Sequence, residues 1–196
     1  ISESLITSQK IIQLNPQNAE SHNNLAVILQ EVGRLNEAET SYRKAIELKP
    51  DYALAHNNLA VILQEVDRLN EAETSCRKAI ELKPDYVEAY YNLGNTLKAL
   101  GRLNEAETSY RKAIELKPDY ALAHNNLAVI LQEVDRLNEA ETSCRKAIEL
   151  KPDYAQSYSN LGNTLKELGR LEEAETSYRK AIELKPDYAQ SYSNLG

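Results

Sequence analysis

Six prolines set the frame for this chain. Pro16, Pro50, Pro84, Pro118, Pro152 and Pro186 each lie 34 residues from the next. Proline stops helices, so a stop at one fixed interval across 196 residues implies a tandem array of one small unit. Counting each proline as position 32 gives five full units, 19–52, 53–86, 87–120, 121–154 and 155–188. A half unit, 1–18, precedes them and a truncated first helix, 189–196, follows. Units two and four are identical, and the identity extends back so that 33–86 recurs as 101–154. This block has been copied at an offset of 68 residues, so agreement between these copies is no sign of independent selection.

Each unit reads as two helices. In the third, Tyr90, Leu93, Gly94 and Leu97 fall at spacings of three and four, one stripe of a helix. Gly101 follows as a left-handed stop. Asn104 with Glu107 has the spacing of a capping box and predicts the start of a second helix there. Ala106, Tyr110, Ala113, Ile114 and Leu116 form its apolar stripe. Lys117-Pro118-Asp119 ends it, with Asp119 placed to cap the helix that follows. Helix A therefore occupies roughly positions 1–14 of a unit and helix B roughly 18–31. Alanine or glycine recurs at positions 8, 20 and 27, where helices must approach closely. One unit cannot cover its own apolar stripe, so neighbouring units must do so.

Position 15 is Gly33, Gly101 and Gly169 in three units, but Asp67 and Asp135 in the others. Aspartate tolerates a left-handed backbone less well than glycine.

The order Tyr90-x-x-Leu93-Gly94-x-x-Leu97, then Ala106-x-x-x-Tyr110, then Pro118 resembles the tetratricopeptide repeat, and the resemblance covers essentially the whole chain. It implies an all-α, right-handed superhelical solenoid of helix-turn-helix repeats, with helix A lining a concave face. Position 6 of helix A is asparagine in every copy: Asn24, Asn58, Asn92, Asn126, Asn160 and Asn194. Asparagine is a poor helix-interior residue, by roughly 0.6–0.7 kcal/mol relative to alanine. Its amide offers two donors and an acceptor, a set that pairs with an extended peptide backbone. Equally, it could bond to the neighbouring helix and order the stack. The run in Ala55-His56-Asn57-Asn58-Leu59-Ala60 resembles the asparagine ladder of the O-GlcNAc transferase family, which holds extended polypeptide. The catalytic domain of that family has no counterpart in these residues.

The carboxylate clamp of chaperone-binding arrays fits less well. It needs lysine at position 5, where this chain has Asn, Tyr or Ser, and lysine at position 2, where it has Glu, Leu or Gln. Binding of chaperone C-terminal tails is therefore not expected. Tyr91, Asn95, Asn163, Lys98 and Lys166 complete the candidate peptide-binding set, with positions 2, 5, 9 and 12 setting preference.

Composition narrows the function further. The net charge is −7, against the cationic face that nucleic acid requires and against a polybasic membrane patch. No apolar run approaches the roughly 18–20 residues of a membrane helix. There are twelve Tyr but no Phe or Trp, the uniformity of a copied unit. Cys76 and Cys144 share position 24 with tyrosines, so both read as buried, reduced packing residues, which fits a cytoplasmic location. His22, His56 and His124 share position 4 with Tyr90 and Tyr158, as ring-filling residues too far apart for one metal ion. Ser and Thr on helix B have no histidine base at catalytic spacing, and the six glycines form no phosphate loop. A non-enzymatic protein-interaction scaffold without cofactors is expected. The alternatives are the substrate-recruiting arm of a larger glycosyltransferase and an engineered, self-assembling repeat. With no methionine, the chain reads as a fragment. Its complementary half units at front and back suggest head-to-tail association between copies.

Overall fold

The computed structural model describes residues 2–186. Among these, eleven helices and no strands form two compact units, one ending at Arg102 and the other beginning at Leu103. The first holds α1 (Ser2–Leu14), α2 (Ala19–Glu31), α3 (Leu35–Leu48), α4 (Ala53–Glu65), α5 (Leu69–Leu82) and α6 (Val87–Ala99). The second holds α7 (Leu103–Leu116), α8 (Ala121–Glu133), α9 (Leu137–Leu150), α10 (Ala155–Glu167) and α11 (Leu171–Leu184). Helices α2, α4, α6, α8 and α10 are A helices and the others B helices. Inside each unit an A helix packs on its own B partner and on the B helix before it, as in α4 with α5 and with α3.

Small residues make this possible. Ala26, Ala38, Ala45, Ala60, Ala72 and Ala79 are all wholly buried in the first unit. Its larger core cluster is Ala26, Leu29, Ala38, Tyr42, Leu59, Ile62, Leu63 and Ala72. Ala128, Cys144, Leu161, Leu165, Ala174 and Tyr178 build the corresponding core of the second. In α1, Leu5 packs against the first core, while Ile6, Ile11 and Leu14 are exposed.

The A helices end as the sequence predicts. Position 15 has positive φ in every repeat: 74° at Gly33 and Gly101, 76° at Gly169, and 58° at Asp67 and Asp135. The amide of Arg34 donates to the Leu29 carbonyl and that of Gly33 to Gln30, both at 2.9 Å. This double closure satisfies carbonyls that the helix end would otherwise orphan. Asp67 and Arg68 repeat it onto Gln64 and Leu63.

The helix starts differ from the expectation. α7 begins at Leu103, so Asn104 is already inside the first turn, and its backbone carbonyl accepts from Thr108 Oγ1. Glu107 does not close a capping box but bonds Arg111 and Arg136. On α3, α5, α9 and α11 the residue at the cap is arginine, with no side-chain cap bond. Arg34 instead forks onto Glu37, three residues ahead, with both bonds at 2.6 Å. Likewise Asp119 does not cap α8. Tyr120 holds that place without a side-chain cap bond, under the Lys117 ammonium at 5.5 Å. Among the helix starts that are described, only α2 has a side-chain cap, in which Asn18 Oδ1 accepts from the Ser21 amide.

Charged rings tie consecutive B helices together. Arg68 Nη1 donates to Glu39 Oε1 (2.7 Å), Arg43 Nε to the same oxygen (3.0 Å), Arg43 Nη2 to Glu71 Oε2 (3.1 Å) and Arg68 Nε to Glu71 Oε1 (2.7 Å). The four side chains form a closed neutral cycle between α3 and α5. Arg136, Glu107, Arg111 and Glu139 close the same cycle between α7 and α9. Arg170, Glu141, Arg145 and Glu173 close it between α9 and α11. The i,i+4 pairs Glu39–Arg43, Glu73–Arg77, Glu107–Arg111 and Glu141–Arg145 are therefore each part of a link between repeats.

Candidate functional site

The position-6 asparagines lie on successive A helices, and three of them bond backward. Asn58 Nδ2 donates to Asn23 Oδ1 at 3.2 Å, Asn92 to Asn57 at 3.0 Å, and Asn160 to Asn125 at 3.0 Å. Each acceptor is the position-5 asparagine of the preceding repeat, 35 residues earlier. Asn23, Asn57 and Asn125 are buried, and so is Ser159 at the same position. Position 5 is thus largely a packing and acceptor position, not the preference-setting surface that its variability suggested. Tyr91, half-buried, is its one large member.

One N–H of each donor is consumed in this way. Asn58 and Asn92 are half-buried, and their second N–H and their carbonyl oxygen make no other bond among the described residues. Asn160 is buried, and its oxygen accepts from Gln156 Nε2 at 3.0 Å. Asn24 is exposed and Asn126 half-buried. Asn194 lies outside the described residues. In α6, Asn95 and Lys98 are half-buried.

Asn163 and Lys166 come together in a pocket of about 560 Å³ between α8 and α10, completed by Val129, Gln132, Glu133, Glu167 and Tyr178. The Tyr178 hydroxyl donates to Asn163 Oδ1 at 2.9 Å, which fixes one wall. The ring of Tyr178 covers Gly162, where a Cβ would lie 2.6 Å from Cδ1.

Four family models of the tetratricopeptide repeat match the sequence: over 119–187, over 31–67 and 94–135, over 7–40 and 75–108, and over 53–86. Together they run from 7 to 187 without a gap. The chain belongs to the tetratricopeptide repeat family. Among solved structures it is similar to YrrB, described as a tetratricopeptide protein with an unusual peptide-binding site. The identity is 26%, over 95% of this chain and 96% of that one, with a TM-score of 0.74. It shares its fold with the thermophilic tetratricopeptide protein TTC0263 of Thermus thermophilus (24% identity, 90% and 96% covered, TM-score 0.73). The same holds for PilF of Pseudomonas aeruginosa (20% identity, 96% and 86% covered, TM-score 0.85). No curated protein sequence matches it.

The remaining polar groups of this tetratricopeptide chain serve its repeats. His22, His56 and His124 donate from Nε2 to the carbonyls of Pro16, Pro50 and Pro118, each at 3.0 Å, so the ring also closes the turn before its helix. Cys76 and Cys144 are free and buried. Burial pushes both thiols up to about 12, against a smaller downward pull from Thr96 and Thr164. Among the described residues no three His, Cys, Asp or Glu side chains group to hold a metal. No described helix is long and apolar enough to cross a membrane.

Proposed function

We propose that this chain is a binding scaffold that holds an extended peptide segment of a partner protein along its A helices. The observation that carries the reading is the half-used amide. Asn58 and Asn92 each spend one N–H on the preceding repeat, which fixes the side chain, and keep one donor and one acceptor. A fixed donor–acceptor pair on two successive repeats matches an extended main chain without reading side chains. The likeness to YrrB, described by its peptide-binding site, supports a peptide as the ligand. Recruitment of substrates for a glycosyltransferase is a narrower form of this proposal and rests on the ladder resemblance alone. Association between copies would cover Ile6 and Ile11 on α1, 50% and 47% exposed. A mass that rises with concentration in light scattering supports it, and a constant monomer mass rejects it.

Three single variants, Asn23→Ala, Asn58→Ala and Asn92→Ala, separate binding from architecture when compared with the native chain. Asn23→Ala removes a buried acceptor, whereas Asn58→Ala removes both the stacking donor and the groove-facing amide. Both are expected to lower the melting temperature. Capture of peptides from a random 12-residue library is expected to fall for Asn58→Ala and Asn92→Ala and to persist for Asn23→Ala. Equal capture by all four proteins overturns the groove reading.

A further inference from the structure

The pocket between α8 and α10 brings two carboxylates and one ammonium together. On the B helices carboxylates are matched by cations: Glu39, Glu71, Glu73, Glu107, Glu139, Glu141 and Glu173 all face an arginine. Glu133 and Glu167, both exposed at the pocket rim, meet no cation among the described residues. Lys166 supplies one positive charge against these two, so the pocket is net negative. Its floor is of mixed character, with the Val129 side chain and the Tyr178 ring beside the amides of Gln132 and Asn163. Burial, and after it the charge of Glu167, raises the Tyr178 phenol above its ordinary value, so the carboxylate is felt at the pocket wall.

The molecule contains its own comparison. The A helices α4 and α8 are identical in sequence, and each is followed by another A helix carrying Asn and Lys at positions 9 and 12. After α8 the residue at position 13 is Glu167, whereas after α4 it is Ala99. The carboxylate of α4 in that region, Glu65, accepts from Gln30 Nε2 at 2.8 Å. The first unit therefore presents one carboxylate already hydrogen-bonded, and the second presents two without a partner.

The geometry points to the α8–α10 pocket as the place where a lysine or arginine side chain of the bound peptide is received. Its aliphatic stem would lie on Val129 and Tyr178, and its charge between Glu133 and Glu167. A long cationic side chain suits this arrangement because its stem buries along apolar surface while its head keeps polar partners. This inference rests on the groove reading and makes it selective: the peptide is basic, not acidic.

The test selects 12-residue peptides from a random displayed library on the full chain, and on the double variant Glu133→Gln/Glu167→Gln. Glutamine keeps the shape and removes the charge, and circular dichroism checks that the helices persist. Selection on the native chain is expected to enrich Lys or Arg at one register at least 3-fold over the library. For an enriched synthetic peptide the variant is expected to bind about 10-fold more weakly, and replacement of its cation by norleucine to cost the same factor. Peptides that bind with no excess of cations overturn the inference and leave the groove reading intact. So does a cation excess that survives in the variant. A library that yields no binder at all overturns both.

Discussion

Tyr178 packs on Gly162 so closely that a methyl group on the glycine would run into Cε1 of the ring and sit 2.6 Å from Cδ1. Where Cys76 and Cys144 stand at the tyrosine position, Ala60 and Ala128 stand at the glycine position. The first full repeat combines Ala26 with Tyr42, and there the hydroxyl reaches Gln30 instead of the position-9 residue that Tyr178 uses. The pair is thus a small-to-large match whose members should not be exchanged singly. Gly162→Ala is expected to lower stability by about 1 kcal/mol. Overpacking costs about 1–3 kcal/mol and improved helix propensity returns about 1 kcal/mol. Combined with Tyr178→Cys, the same change is expected to be favourable. A double-mutant cycle by urea denaturation that gives a coupling under about 0.5 kcal/mol rejects the match.

Asp67 and Asp135 hold φ at 58°, in the region that glycine occupies in the other repeats. Asp67→Gly is expected to raise stability by about 0.5–1 kcal/mol, because a side chain is strained there. An unchanged or lower melting temperature would show that the aspartate is not strained.

The charged rings make the stack sensitive to acid. Partial burial pushes the Glu39 carboxyl up, but the hydrogen bonds from Arg43 and Arg68 outweigh it and hold it below its ordinary 4.5. Glu73 is lowered in the same way by Arg102 and Arg77. A carboxylate whose folded value is depressed stabilises the fold above its unfolded value and ceases to do so as pH falls through the folded one. The melting temperature should therefore be flat near neutral pH and drop once pH passes below about 4.5. Glu39→Gln should flatten part of that drop and lower the neutral-pH melting temperature by about 1–2 °C. Glu47→Gln, which breaks only the exposed Lys44 pair within one helix, should do neither.

Both thiols are buried and their ionisation is suppressed, so neither is a nucleophile in the folded chain. With Ellman's reagent at pH 8 the native protein should show negligible fast reaction, and both thiols should titrate in denaturant. Fast reaction of either thiol in the native state would contradict its burial.

Much of the fold was legible because its signals are local. The prolines mark the period, and the residues at position 15 announce the left-handed turn that every repeat adopts. The helix starts were misread because Asn104 and Glu107 have capping-box spacing, yet the Glu107 carboxylate is taken by Arg111 on its own helix and by Arg136 of the next repeat. The asparagine links between repeats were foreseen as one of two roles for position 6, but their partners, like the arginine–glutamate links, were not legible, for a different reason. Asn58 with Asn23, or Arg68 with Glu39, are neighbours only across helices, and no periodicity within one helix reports a spacing of 35 or 29 residues. The doublet Asn57-Asn58 held the one available hint, since a donor at position 6 and an acceptor at position 5 can serve adjacent copies. The pocket at Glu167 was legible only in part. Asn163 and Lys166 stood out as departures from valine and glutamine, but Glu167 repeats the glutamate of other copies and gave no contrast until its neighbours were placed.

Helix α8 is a letter-for-letter copy of α4, yet the recess beside it is finished by the helix that follows it. When a recess is shared between two adjacent hairpins, copying a block reproduces half of its lining, and a single substitution next door, alanine or glutamate, changes its charge. Such an array can vary the chemistry of its recesses without altering the duplicated segment at all.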